Sequence, residues 1–252
     1  MKYYICAKTN VGLKRENNED NLCINGTYML SPEKEWGAET AANECVAAVC
    51  DGMGGEEFGE FASLCAASNI AENCTVLLNA KDGEQSRAVD NLISKINALI
   101  CDEMRKRNVR IGSTVTMLCI KNGVADIYNI GDSRIYLFRN GALSQLTKDH
   151  TYFQQKADMG IKGQESDKHK LTQNLGIFEH EMEVQADNKQ MPIQPNDVFL
   201  LCSDGLTDMV SDKEIQQILS DNAEKAVDKL IETALKNGGR DNVSVILIRT
   251  AD

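Results

Sequence analysis

Only three prolines, three histidines and one tryptophan occur in these 252 residues. So little proline excludes a collagen-like or polyproline architecture. The nine cysteines contain no C-x-x-C pair, and the histidines at 150, 169 and 180 add no zinc-ligand spacing. The cysteine count is odd, and most lie in apolar runs such as Val49-Cys50, Leu118-Cys119 and Leu201-Cys202. That predicts free buried thiols in a reducing cytoplasm, not a disulfide framework. Positive charge is also short: 27 Lys+Arg against 38 Asp+Glu give a formal net charge of −11. A chain this acidic repels a phosphate backbone, no basic cluster is counted as a local exception, and nucleic acid is not an expected partner. No apolar run approaches the roughly 18 residues of a membrane span. Met1 to Gly12 lacks an apolar h-region, so no signal peptide is expected either. Without repeats, low-complexity tracts or a linker, one domain over residues 1–252 is the reading.

What is present begins with strands. Tyr3 to Lys8, Leu22 to Leu30 (broken by Asn25-Gly26), Cys45 to Cys50, Val198 to Cys202 and Val243 to Ile248 are short apolar runs. Thr114 to Leu146 reads as a meander cut by Asn122-Gly123 and Asn140-Gly141, because both central residues of a type I′ hairpin need positive φ. Helical periodicity spans Phe58 to Leu78, Ala88 to Met104, Ser211 to Leu219 and Ala223 to Lys236. Ser211-x-x-Glu214 is a capping box, and Asn237-Gly238-Gly239 a C-terminal stop. Strands, two long helices, a meander, then helices and a last strand predict an α+β fold of antiparallel sheets covered by helices. The polar stretch of about 148–183 is expected to be a mobile functional flap.

Five segments place an acid where a divalent cation could be held: Asn18-Glu19-Asp20, Asp51-Gly52-Met53-Gly54-Gly55, Gly131-Asp132-Ser133-Arg134, Ser203-Asp204-Gly205 and Gly239-Arg240-Asp241-Asn242. A buried strand ending in Asp-Gly fixes a carboxylate, and the glycine lets its own carbonyl turn toward the same ion. Two such ends at Asp51 and Asp204, joined by Asp241, could hold a hard cation through oxygen ligands. Mg²⁺ or Mn²⁺ is the natural occupant.

Together with Gly12-x-x-Arg15, Gly112-Ser113-Thr114, Leu146-Thr147-x-Asp149-His150 and Arg240-Asp241-Asn242-Val243-Ser244-Val245, these segments run in the order of the PP2C (PPM) motif series. The chain resembles that family of metal-dependent protein serine/threonine phosphatases, bacterial type, over nearly its whole length. The resemblance implies a four-layer αββα sandwich with two Mn²⁺ or Mg²⁺ ions between the sheet edges. It implies that Asp51 bridges the ions, the Gly52 carbonyl binds one, and Asp204 and Asp241 complete the other. Glu19 and Asp20 would orient water, Asp132 with Asp204 would hold a third ion, and Arg15 would grip the substrate phosphate. Two such ions share a water, lower its pKa and aim it at phosphorus, while Arg15 offers a planar fork to the phosphoryl oxygens.

Phosphorylated proteins, substrates of a serine/threonine kinase, are the implied partners, and the enzyme is expected to be a cytoplasmic monomer. Met53 stands where many eukaryotic relatives carry a His, so no general acid is named. A cysteine-centred phosphatase loop is not expected. Asp208 reads as a helix-start residue. Two other uses of the same fold stay open: a catalytically dead scaffold, and a phosphatase of small phosphometabolites.

Overall fold

In the computed structural model, which describes residues 1–31, 33–54, 58–81 and 83–250, apolar alternation along single strands builds three separate cores. The elements in chain order are β1 (Tyr3–Asn10), β2 (Asp20–Ile24), β3 (Thr27–Tyr28), β4 (Glu35–Ala42), β5 (Cys45–Gly54), α1 (Gly59–Asn79) and α2 (Gln85–Arg107). There follow β6 (Ile111–Ser113), β7 (Val115–Lys121), β8 (Val124–Ile130), β9 (Arg134–Arg139), β10 (Ala142–Gln145) and α3 (Tyr152–Asp158). The chain closes with β11 (Asp187–Pro192), β12 (Val198–Cys202), α4 (Asp204–Thr207), α5 (Asp212–Asn222), α6 (Ala226–Lys236) and β13 (Val243–Thr250). One sheet has the order β10-β9-β12-β13-β1-β4, the other β11-β8-β7-β5-β2-β3, with β6 paired to the far end of β5.

Strand β5 shows the logic. Cys45, Ala47 and Val49 point between the sheets, where they meet Phe199, Leu201, Ile246 and Ile248. Val46, Ala48 and Cys50 point the other way, onto Ala66, Ile70, Ile96 and Ile100 of α1 and α2. In β12, Val198, Leu200 and Cys202 likewise face Leu219, Leu230 and Ile231 of α5 and α6. Strands buried on both faces need unbroken apolar runs, and these have them. The result is helices, sheet, sheet, helices: the expected four-layer αββα sandwich.

The Asn-Gly pairs at 25–26, 122–123 and 140–141 form two-residue hairpins with positive φ at both positions, 46° and 89° at Asn25-Gly26, for example. Two strands carry no apolar signature. β4 and β11 each form one edge of a sheet and pair on one side only, so backbone pairing alone places them while polar side chains such as Glu35, Glu39, Asn188 and Lys189 face water.

Two expectations need correction. Helix α1 has 21 residues and reaches a mean hydropathy of 1.2 over an 18-residue window, enough to cross a membrane by length and composition alone, although no such run was expected. Its apolar positions Ala62, Ala66, Ala67, Ile70, Cys74 and Leu77 are spent against the sheet. The acidic average also hides a basic cluster at the end of α2. Its members Arg105, Lys106, Arg107 and Arg110 are answered locally by Asp102, Glu103 and Glu181.

The segment expected to be a flap leaves the sheet after β10 and contains α3 and a 3-10 turn at Glu165–Asp167. Its two legs meet at a bridge between Thr151 and Leu171, and Leu175 pairs with Ser113 of β6. Asp167 ties the excursion together by accepting from Gln164 N (2.9 Å), Lys156 Nζ (2.7 Å) and Lys170 Nζ (3.4 Å).

Candidate metal centre

The two sheets part at one end, and the gap collects the acids. Asp20 of β2 lies directly across from Asp51 of β5 in one sheet. From the other sheet come Asp204, just past β12, and Asp241, just before β13. Arg15, Glu19, Asp51, Gly52, Met53, Gly54, Thr114, Asp132, His169, Leu171, Asp204 and Asp241 line a cleft of about 280 Å³. Seven of the eight residues singled out from sequence thus meet at one cleft, and the eighth, Asp20, is buried and accepts a hydrogen bond from Ser203, the residue before Asp204. Gly55 of the second motif lies outside the described residues.

Each acid is fixed by its backbone. The expectation that the strand stops at Asp51 is wrong: β5 continues to Gly54 by exchanging its partner β7 for β6, with Gly52 opposite Ser113. Asp51 N donates to Thr114 Oγ1 (3.0 Å) and Thr114 N to the Asp51 carbonyl (2.9 Å). Thr114 Oγ1 in turn pairs with Ser133 Oγ beside Asp132 (2.8 Å). Gly52 N donates to the Glu19 carbonyl, and a Cβ on Gly52 would stand 2.2 Å from the Gly59 carbonyl. Only glycine permits that approach.

Three polar residues hold the acids without lining the cleft. Asn242 Oδ1 accepts from Glu19 N (2.8 Å), while its Nδ2 donates to the carbonyls of Val11 (2.9 Å) and Asn17 (3.0 Å). Ser203 and Ser244 both donate to Asp20 Oδ2, at 2.8 and 2.6 Å. All three stand inside the quoted motifs, but nothing in a sequence distinguishes a hub asparagine from a turn asparagine. His169 is a further addition, from a flap with no periodicity to read. Asp208 ends α4 and does not start a helix, so the reading from sequence is corrected; its Oδ2 lies 3.7 Å from His169 Nδ1.

Burial and the crowding of like charges both disfavour the ionised form of these carboxylates. Burial holds Asp51 well above the usual carboxylate range, with Asp20, Asp204 and Asp132 adding to the rise. Burial also pushes Asp20 up to about 7, against the pull of the two serine hydroxyls. Asp132 is raised by burial and then by Asp204, and Glu19 by burial and then by Glu60. Asp20 Oδ1 is buried and has no hydrogen-bond partner among the described residues. A divalent cation fits this set: it would satisfy an orphaned oxygen, offset the crowded charge and meet oxygen donors from both sheets. Arg15 sits at the rim, with Nη2 2.7 Å from Asp241 Oδ2.

A second phosphate-handling chemistry is excluded by geometry. Cys101 and Arg107 do stand at the C-x5-R spacing, which the reading from sequence overlooked. Both lie on the continuous helix α2, where no loop can cradle a phosphate. Cys101 is buried, its thiol donates to the Ile177 carbonyl, and burial raises its pKa. The Arg107 guanidinium lies over the Phe58 ring at 4.5 Å.

Comparison with known proteins points to one family. The family model for protein phosphatase 2C matches residues 35–247. The serine/threonine phosphatase Stp of Listeria monocytogenes serotype 4b is 33% identical over 254 residues, covering 96% of this chain and 93% of that protein. A crystal structure of the serine/threonine phosphatase PstP of Mycobacterium tuberculosis superimposes over 100% of both chains with a TM-score of 0.81 at 29% identity. The catalytic domain of PstP in complex with two manganese ions gives a TM-score of 0.80, also at 29% identity and over 100% of both chains. On its sequence, its sandwich and its acid-lined cleft, this chain belongs to the protein phosphatase 2C family.

Proposed function

We propose that this chain is a divalent-metal-dependent protein phosphatase that hydrolyses phosphoserine and phosphothreonine. The observation that carries the reading is the convergence of Asp51, Asp204 and Asp241 from two sheets on one cleft with Arg15 at its rim. Asp51, the Gly52 carbonyl, Asp204 and Asp241 are the residues that would hold two ions, Mn²⁺ by analogy with PstP or Mg²⁺ by donor type. Ions held there supply the means to activate a water near neutral pH and to offset charge on the phosphoryl oxygens. Glu19 and Asp20, the latter locked by Ser203 and Ser244, orient groups on the floor of the cleft. Arg15, released from Asp241, presents its planar fork to the phosphate. Asp132 faces Asp204 and is the residue that would hold a third ion with it. Met53 lines the cleft but carries no transferable proton, so this chain offers no side-chain acid at that position.

Phosphoproteins are the substrates, and an opposing serine/threonine kinase belongs to this proposal. The nine free thiols suit a reducing cytoplasm, and a monomer suffices because one chain supplies the whole cleft. The test is release of phosphate from a phosphothreonine peptide with Mn²⁺, with EDTA, and by Asp204→Asn. Turnover that ignores the chelator or the substitution overturns the reading. Turnover of small phosphate esters with none of phosphopeptides would transfer the site to a metabolite.

A further inference from the structure

The motif Leu146-Thr147-x-Asp149-His150 does not line the cleft, yet its last two residues close on the loop that carries Asp132. Asp149 accepts a fork from Arg134, with Nε 2.9 Å from Oδ1 and Nη2 2.6 Å from Oδ2. His150 grips the other side of that loop. Its backbone N donates to the Gly131 carbonyl (2.9 Å), and its ring Nδ1 accepts from Gly131 N (3.2 Å). Gly131 packs so closely on Thr114 that a Cβ there would stand 2.5 Å from Thr114 Cγ2. Thr114 in turn bonds the backbone of Asp51, so a displaced ring would be felt at two acids.

The same residue reaches the flap. Gln173 Nε2 also donates to Nδ1 (3.1 Å), and Thr172 N donates to the His150 carbonyl (2.8 Å). The Gln173 amide cannot turn round without losing the bond that its Oε1 accepts from Gln185 N (2.9 Å). On the far side of the ring, Nε2 stands 3.2 Å from Asp187 Oδ2 of β11. Two donors at Nδ1 and a carboxylate at Nε2 select one tautomer, with the proton on Nε2. Only 12% of the side chain is exposed, so little water competes for these partners.

We propose that His150 is a positioning residue, an acceptor at Nδ1 that couples the Asp132 loop to the return leg of the flap. This rests on the phosphatase reading above and adds to it a residue that sets the cleft without lining it. No proton transfer is required of the ring, only its fixed lone pair.

Two substitutions separate the ring's two ends. Asparagine can bring its Oδ1 close to the place of Nδ1, whereas glutamine brings an amide N–H close to the place of Nε2. His150→Asn therefore keeps the acceptor and gives up Asp187, and His150→Gln does the reverse. Trypsin cleavage at Lys168 and Lys170, both exposed, reports the flap with neither metal nor substrate present. Steady-state kinetics on a phosphothreonine peptide with Mn²⁺ report the cleft. His150→Gln should speed cleavage about tenfold, through loss of the shared acceptor. It should also lower kcat by about ten- to a hundredfold. His150→Asn should hold both near the wild type. In EDTA and above neutral pH, nitrogen-15 NMR of the wild type should show His150 protonated at Nε2 alone, its signal assigned by its loss in either variant. Equal behaviour of the two variants in cleavage and kcat, whatever their unfolding midpoints, would mean that the ring only fills space, and the coupling would be wrong. A proton on Nδ1 overturns it as well. A wild type without phosphatase activity removes the proposed function, while cleavage and NMR still decide the coupling.

Discussion

Ser244 Oγ donates a 2.6 Å hydrogen bond to Asp20 Oδ2, and this contact ties the two sheets together at the floor of the cleft. Asp20 belongs to β2 in one sheet and Ser244 to β13 in the other. The serine is in turn engaged by Thr9 Oγ1 (2.8 Å), and that oxygen accepts from Asn18 Nδ2 (3.0 Å). A buried carboxylate kept in place by such a chain loses both support and orientation when one donor is removed. Ser244→Ala should therefore lower stability by about 1–3 kcal/mol and weaken Mn²⁺ binding by roughly ten- to a hundredfold. Urea unfolding and a Mn²⁺ titration check it; a variant indistinguishable in both would show that Asp20 needs no help.

Loss of a ligand should act on metal affinity more than on folding. Asp51 and Asp241 approach the cleft from different sheets, and their replacement by Asn removes charge without removing volume. Each variant should lose at least about a hundredfold in phosphopeptide turnover and show weakened Mn²⁺ binding. Stability without metal should hold or rise for Asp51→Asn, because burial already penalises that charge. Thermal unfolding in EDTA decides this, and a large drop in the midpoint would contradict it.

The fold was legible where strands are buried on both faces. Val198 to Cys202 could be bounded to the residue because both its faces are apolar. β4 and β11 could not, since an edge strand needs only backbone partners and shows no hydrophobic period. At the site, Asp51, Asp204 and Asp241 were readable because a rigid apolar strand or glycine loop precedes or follows each. His169 was not, because it is placed by the turn that Asp167 organises, and a turn held by side-chain carboxylate bonds leaves no periodic trace.

Arg15 tests geometry against charge. Its guanidinium reaches Asp241 at 2.7 Å with half its side chain exposed, so it is free to exchange that partner for a phosphate. Arg15→Lys keeps the charge but loses the bidentate fork. It should lower kcat/KM for a phosphothreonine peptide by about tenfold, chiefly through KM, and Arg15→Ala should lower it further. Full activity in the lysine variant would reduce Arg15 to a general positive charge.

The flap should have its own acid sensitivity. Lys156 and the Gln164 amide hold the Asp167 carboxyl down to about 2, below its ordinary range near 4. A depressed carboxylate contributes stability above its unfolded pKa and loses it as pH falls through the folded one. Order at residues 164–170 should thus persist at neutral pH and fade between about pH 4 and pH 2. Hydrogen exchange of the Gln164 amide reports it, and Asp167→Asn should show the same loosening already at pH 7. Exchange that is flat across that window would remove Asp167 from its organising place.

Gly205 offers a prediction in which metal affinity, and not stability, separates steric crowding from backbone conformation. A Cβ there would stand 1.9 Å from the Asn242 carbonyl oxygen, a backbone atom that cannot rotate away. Gly205→Ala must push α4 off β13, at a cost of about 1–3 kcal/mol. Gly141 is the contrast: a Cβ there meets nothing within 4 Å, and the penalty comes only from its φ of +79°. Gly141→Ala should cost about 1–2 kcal/mol, a similar loss of stability from a distant hairpin. Unfolding alone therefore does not separate the two. Mn²⁺ affinity does, because Asn242 also positions Glu19, and Gly205 follows Asp204 directly. Gly205→Ala should weaken Mn²⁺ binding at least about tenfold while Gly141→Ala leaves it unchanged. Equal Mn²⁺ affinity in the two variants would mean that the close approach of Gly205 to Asn242 serves packing and not the metal centre.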